Sequence, residues 1–191
     1  MPYAALAAAD TTLAALGKHR ARFLTKPLLM PTLLAGKEPR VQRALALGGA
    51  GDVALLGKGQ LAFTAGLGAF LAGHVAWVAA LRPRALGAVT PVKAVPYLTA
   101  WVGLNAYLWP KTGRDRIPVL LYSTALLATA LAALDTGDPR VATGGALFLA
   151  SDTLLALERF AGVSLPLHEG LVMATYTSAQ ALLAQVTQVE A

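Results

Sequence analysis

Apolar residues fill this chain in long blocks separated by short breaks rich in charge, glycine and proline. The blocks fall at about 2–17, 23–36, 44–57, 59–81, 94–109, 117–134, 141–157 and 170–189. The first is short and the fourth is the clearest. Between them lie Lys18, Arg20 and Arg22; Lys37, Glu38, Arg40 and Arg43; Lys58; Arg82, Pro83, Arg84 and the stretch 91–93; the basic turn 110–116; DTGDPR at 135–140; and 158–169, which contains Pro166. A membrane-crossing helix takes about 20 mostly apolar residues. The pattern therefore predicts an all-α, polytopic membrane bundle of about eight transmembrane helices, forming one domain over 1–191. Eight spans use roughly 160 residues at that length, which leaves tight turns and no soluble domain.

Composition agrees with that prediction. Of the 191 residues, 56% are hydrophobic and 14% charged, against about 25% charged in an average soluble domain. Disorder and nucleic-acid binding both need denser charge. The net charge of +6 comes from Lys and Arg clustered at block edges, as membrane flanks require. Leaving out Lys26, the other fifteen basic residues divide eight to seven between the two sides of an eight-span chain. The positive-inside rule thus fixes no orientation. The chain has no cysteine, which excludes disulfides, thiol nucleophiles and thiolate metal sites. The first block lacks a basic leader and is read as a span rather than a cleaved signal peptide. The expected location is a bacterial-type inner membrane.

Ionisable side chains inside hydrocarbon cost about 2.5–3.5 kcal/mol on insertion scales and mark candidate sites facing the bundle interior. Asp10, Lys26, Asp52, His74 and Asp152 are the ones found here, with Tyr122, Ser151, Tyr176 and Gln180 around them. Lys26 stands beside Pro27 and Pro31, which are expected to open the helix. It reads either as an anion holder or as a snorkelling lysine. Asp52 follows Gly48, Gly49 and Gly51, and Asp152 lies mid-block. One lysine cannot neutralise both aspartates, and two carboxyls in unlike surroundings separate an acid from a base. His74 is a site residue or a hydrogen-bonded core histidine. Tyr176 and Gln180 share a helix face. The Trp101, Asn105 and Trp109 stripe has a packing or interfacial reading, and Gly66, Gly68 and Gly73 a packing one. His19 and His168 fall in loops, so a three-histidine zinc site is not expected. No nucleophile elbow or Ser/His/Asp set is present.

Read together, 25–31 (TKPLLMP), Gly51-Asp52, Gly73-His74, Tyr122, 145–152 (GALFLASD) with 154–160 (LLALERF), and 171–180 (LVMATYTSAQ) resemble the YhhN-like family of membrane proteins, the lysoplasmalogenases. The pieces occur in family order and cover nearly the whole chain. The resemblance implies about eight helices and hydrolysis of the vinyl ether bond of a lysoplasmalogen (an alkenyl-glycerophosphocholine or -ethanolamine). The products are a fatty aldehyde and a glycerophospho-base. The polar residues it implies are Lys26, Asp52, His74, Tyr122, Asp152, Tyr176 and Gln180.

That chemistry suits the residues. Vinyl ether hydrolysis begins with protonation of the carbon β to oxygen, then water attacks and the hemiacetal collapses. It needs one protonated acid and one carboxylate, and no metal or other cofactor. Asp52 and Asp152 are the expected catalytic pair, with Lys26 on the phosphate and His74, Tyr122, Tyr176 and Gln180 placing water or head group. The expected partners are this lysophospholipid and membrane lipids, without nucleic acid. Two other readings stand: a lipid or small-solute transporter or binder without chemistry, and a hydrolase of a different ether or ester.

Overall fold

A computed structural model describes residues 2–87 and 89–186. The regular structure among them is all helical, with no strand. Eight α-helices follow in order: α1 (Pro2–Ala15), α2 (His19–Leu34), α3 (Pro39–Ala54), α4 (Gln60–Leu81), α5 (Pro91–Leu108), α6 (Arg116–Asp135), α7 (Pro139–Ala161) and α8 (His168–Leu183). Single 3-10 turns lie at Arg82–Arg84 and Gly113–Asp115. The sequence-predicted end of the eighth block, 187–189, lies outside the described residues.

The helices reach further into the charged breaks than the apolar blocks do. Pro39, Pro91 and Pro139 each open a helix, the position where a missing N–H costs nothing. Residues 91–93 are therefore helical rather than loop. The Asp138 carboxylate accepts a 2.8 Å bond from the Arg140 N–H and caps α7. Gly162, at φ +66°, ends that helix. Glu158 to Ala161 are thus its last turn and not a connection. His19 and His168 begin helices instead of lying in loops. Pro27 and Pro31 do not open α2, which runs helical through both.

Three stretches are long and apolar enough to cross a membrane: Gln60–Arg84, Gly113–Asp135 and Pro139–Ala161. They mark the chain as a membrane protein. α1, α2, α3 and α8 have 14 to 16 residues, which at 1.5 Å per residue fall short of a hydrocarbon core about 30 Å thick.

Followed through their contacts, seven helices close a ring in the order α1, α2, α3, α4, α6, α7, α8. α5 leans mainly on α6, with a smaller contact to α7. Leu29, Met30, Leu45, Trp77, Leu81, Phe148 and Leu183 are fully buried in the ring's core. Small residues set the spacing. A Cβ on Gly51 would lie 2.5 Å from the Phe70 ring, and one on Gly144 would lie 2.9 Å from the Leu183 backbone nitrogen. Gly68 instead faces open space, so its packing assignment is corrected. Trp101 and Asn105 fasten α5 to α6. The indole N–H donates to Ser123 Oγ at 3.2 Å, and that hydroxyl lies 3.1 Å from Asn105 Oδ1.

Candidate active site

Six helices bring polar groups toward the inside of the ring. Lys26 comes from α2, Asp52 from α3, His74 from α4, Tyr122 from α6, Asp152 from α7, and Tyr176 with Gln180 from α8. A cavity of about 190 Å³ opens among them. Its walls carry Lys26, Asp52, Tyr122, Asp152 and Tyr176, with apolar surface from α4, α5, α6 and α7 around them. His74 and Gln180 are not on that wall. They sit behind it, 1% exposed, and touch the tyrosines instead of any cavity occupant.

The two aspartates are held by parallel constructions. The Tyr176 hydroxyl donates to Asp52 Oδ2 at 2.6 Å, and Gln180 Nε2 donates to the Tyr176 oxygen at 3.3 Å. On the other side the Tyr122 hydroxyl bonds Asp152 Oδ2, and His74 Nε2 lies 3.2 Å from the Tyr122 oxygen. Each carboxyl thus has a tyrosine, and each tyrosine has a buried amide or imidazole behind it. Gly48 makes room for the first set, since a Cβ there would lie 3.0 Å from Gln180 Nε2. Phe148 packs against both sets. Its ring centroid is 4.6 Å from that of His74 and 5.5 Å from that of Tyr176.

Charge breaks the parallel. Lys26 Nζ lies 3.2 Å from Asp52 Oδ1, while no basic side chain pairs with Asp152 among the described residues. Of the two sequence readings of Lys26, snorkelling is ruled out by this contact. The ammonium is turned inward to a carboxylate that is 1% exposed.

The Asp152 side carries one more partner that the sequence reading missed. Thr129 is fully buried, and its hydroxyl lies 3.2 Å from His74 Nδ1 and 3.0 Å from the Ala125 carbonyl. Two wirings satisfy every group in this chain. With Asp152 ionised, Tyr122 donates to it, His74 Nε2–H donates to Tyr122, and Thr129 donates to Nδ1. With Asp152 protonated, its hydroxyl donates to Tyr122, and Tyr122 donates to Nε2. Nδ1–H then donates to Thr129, whose own hydrogen goes to Ala125. His74 is neutral in both, and only its tautomer changes. A threonine 55 residues from its histidine partner gives no local signal of this role. Its β-branched, apolar appearance in TALLATALAA hides it.

Asp10, the remaining intramembrane carboxylate, belongs to a separate cluster. It is fully buried and takes bonds from Arg22 Nη2 at 3.3 Å and Thr25 Oγ1 at 2.5 Å. Arg22 also reaches Glu169 Oε2 at 3.3 Å. The sequence pattern placed Arg22 among loop residues, whereas it is buried inside α2 and ties α1, α2 and α8 together.

The sequence matches the YhhN family over residues 21–187. Proteins named lysoplasmalogenase from Mycobacterium bovis and Mycobacterium tuberculosis are each 37% identical over 107 residues. That alignment covers 52% of this chain and 41% of each relative, so the chain matches less than half of their length. No solved structure matches the chain. A family match that takes in Lys26, both cavity aspartates and both tyrosines leaves one conclusion: the chain belongs to the YhhN family.

Proposed function

We propose that this protein is an intramembrane hydrolase of lysoplasmalogens. In that reading all eight helices cross the bilayer of a bacterial inner membrane as one bundle. The short helices are accommodated by local thinning of the bilayer around them. The observation that carries the reading is the convergence of Lys26, Asp52 and Asp152 on one cavity with apolar walls. A carboxyl pair in a cavity with mostly apolar walls suits a reaction that needs an acid, a carboxylate and water. The family and the names of the two mycobacterial relatives support the choice of bond.

The asymmetry of the pair supports an assignment of roles. Asp52 has an ammonium beside it, which favours the carboxylate. Asp152 is bonded to the Tyr122 hydroxyl, which His74 backs in turn; among the described residues no cation pairs with it, and its network accepts either protonation state. Asp152 is therefore the acid. It gives its proton to the vinyl carbon β to the ether oxygen, leaving an oxocarbenium ion. The Asp52 carboxylate, on the wall of the same cavity, stabilises that cation and takes a proton from the attacking water. The hemiacetal then collapses: the proton taken up by Asp52 passes to the glycerol oxygen as the carbon–oxygen bond breaks, and the hemiacetal hydroxyl gives its proton back to Asp152 as the aldehyde forms, which restores both carboxyls. One water is consumed, and the aldehyde and glycerophospho-base leave. Tyr122 and Tyr176 hold the carboxyls in position, and His74 and Gln180 act through them.

Detergent-purified protein incubated with a lysoplasmalogen tests this by aldehyde release. Asp52→Asn and Asp152→Asn are each expected to lower turnover at least 100-fold while remaining folded. Full turnover by both variants refutes the mechanism. A transporter or binder without chemistry is the outcome if flux across liposomes is found and aldehyde is not.

A further inference from the structure

We propose that Arg159, rather than Lys26, holds the phosphodiester anion of the lysolipid head group. The proposal rests on the hydrolase reading for the identity of the ligand, and its test reads binding independently of turnover.

Lys26 is unsuited to that task, since its ammonium is committed to Asp52 at 3.2 Å. A phosphate there would have to displace a buried carboxylate. Arg159 is in the opposite situation. It lines the same cavity, and its guanidinium carbon lies 3.6 Å from the centroid of Phe63 and 5.7 Å from that of Phe160. Among the described residues no carboxylate lies within 4 Å of it, and no group accepts a hydrogen bond from it. Stacking on an aromatic face fixes the plane of a guanidinium and leaves its edge donors unused. That edge is the surface that binds phosphate in bidentate fashion. The neighbouring Glu158 is turned away, with its carboxylate 3.5 Å from His168 Nε2.

Position along the helix fits as well. Arg159 is seven residues beyond Asp152, so the two share a face of α7 about 10.5 Å apart along the axis. Arg159 occupies the last turn of α7, near the bundle end where Gln60 bonds Asp115 at 2.8 Å and Arg22 meets Glu169. A lysolipid entering there puts its head group at that end and its ether one glycerol deeper, beside the aspartates. Its chain then follows the apolar wall toward Leu104, Leu126 and Leu149.

The test uses a saturated 1-alkyl-glycerophosphocholine, which has no vinyl ether to cleave, and the matching 1-alkylglycerol, which lacks the phosphate. Dissociation constants are measured on detergent-purified protein. Arg159→Ala is expected to weaken the phospholipid about 10- to 100-fold and leave the alkylglycerol unchanged. Arg159→Lys, which keeps charge but not the stacked fork, is expected to fall between. Equal effects on both ligands, or none on either, overturn the proposal. If inorganic phosphate alone binds as tightly as the lysolipid, the ligand is a free anion and the head-group assignment fails. Absence of aldehyde release with this discrimination intact would sink the hydrolase reading and leave the Arg159 site standing.

Discussion

Replacing Lys26 with Met removes an ammonium 3.2 Å from a carboxylate that is 1% exposed. Asp52 Oδ2 keeps the Tyr176 hydroxyl, but Oδ1 has no hydrogen-bond partner besides the lysine. Breaking one member of a buried pair costs about 3–5 kcal/mol, because the other charge is left unpaired. Lys26 retains 13% side-chain exposure, so water partly replaces it and the lower figure applies. At about 2–4 °C per kcal/mol for a chain of this size, Lys26→Met should lower the unfolding midpoint by about 6–12 °C. Asp52→Asn removes the other charge, and the double variant carries neither. The double should therefore be more stable than Lys26→Met alone. Thermal unfolding in detergent, followed by tryptophan fluorescence, measures all four proteins. The reasoning fails if the two effects add to within about 0.5 kcal/mol, the behaviour of independent sites. A stable double variant that releases no aldehyde would separate the structural role of the pair from its chemical one.

Tyr122→Phe removes the hydroxyl shared by Asp152 and His74; aldehyde release should fall about 10- to 100-fold, and the unpaired His74 nitrogen should cost about 1–3 kcal/mol in the unfolding scan. Thr129→Val keeps the shape and removes only the hydroxyl at Nδ1. Its turnover should drop less, while substrate KM stays constant, as expected of a residue acting through His74. Gly144→Ala would push a methyl to 2.9 Å from the Leu183 nitrogen and 3.1 Å from the Ala179 carbonyl, both rigid backbone, and should cost about 1–3 kcal/mol. Gly68→Ala meets nothing within 4 Å and should be neutral or stabilising by up to about 1 kcal/mol. The same unfolding scan ranks the two glycine variants, and equal costs would refute the packing argument. Asp10→Asn removes one of the two carboxylates that pair with the buried Arg22 and leaves it Glu169 alone; it should destabilise by about 1.5–3 kcal/mol, with KM unchanged in the protein that remains folded.

The helices were legible because lipid forces a simple code of apolar blocks and charged breaks. Their ends were not, because charge marks the bilayer edge while backbone hydrogen bonding marks the helix edge. Arg22, Glu158 and Arg159 lie between those two limits, and each was read as a connection. The intramembrane polar residues stood out one at a time, since burial of charge in hydrocarbon is costly wherever it occurs. Their pairing did not, because it depends on which helices are neighbours. Lys26 reaches Asp52 and not Asp152 only because α2 packs on α3 in the ring. Thr129 was invisible for the same reason: its partner is 55 residues away on α4.

This difference between composition and neighbourhood bears on the two aspartates. From sequence they are equivalent, each a single carboxylate in an apolar block. The bundle gives each the same tyrosine support and then supplies one cation. Had Lys26 stood beside both, neither carboxyl would be suited to keep a proton. Had it been absent, two like charges in one cavity would favour a single shared proton. In the proposed mechanism, one lysine on one side divides the pair into a fixed carboxylate and a group free to gain and lose a proton. The His74–Thr129 chain then keeps that second group hydrogen-bonded in either state. Moving the cation should move the roles. Combining Lys26→Met with a lysine placed on α7 at Ala156, one turn from Asp152 on the cavity wall, should leave the protein folded with Asp152 held as the carboxylate, so that Asp152 no longer protonates the substrate and aldehyde release falls.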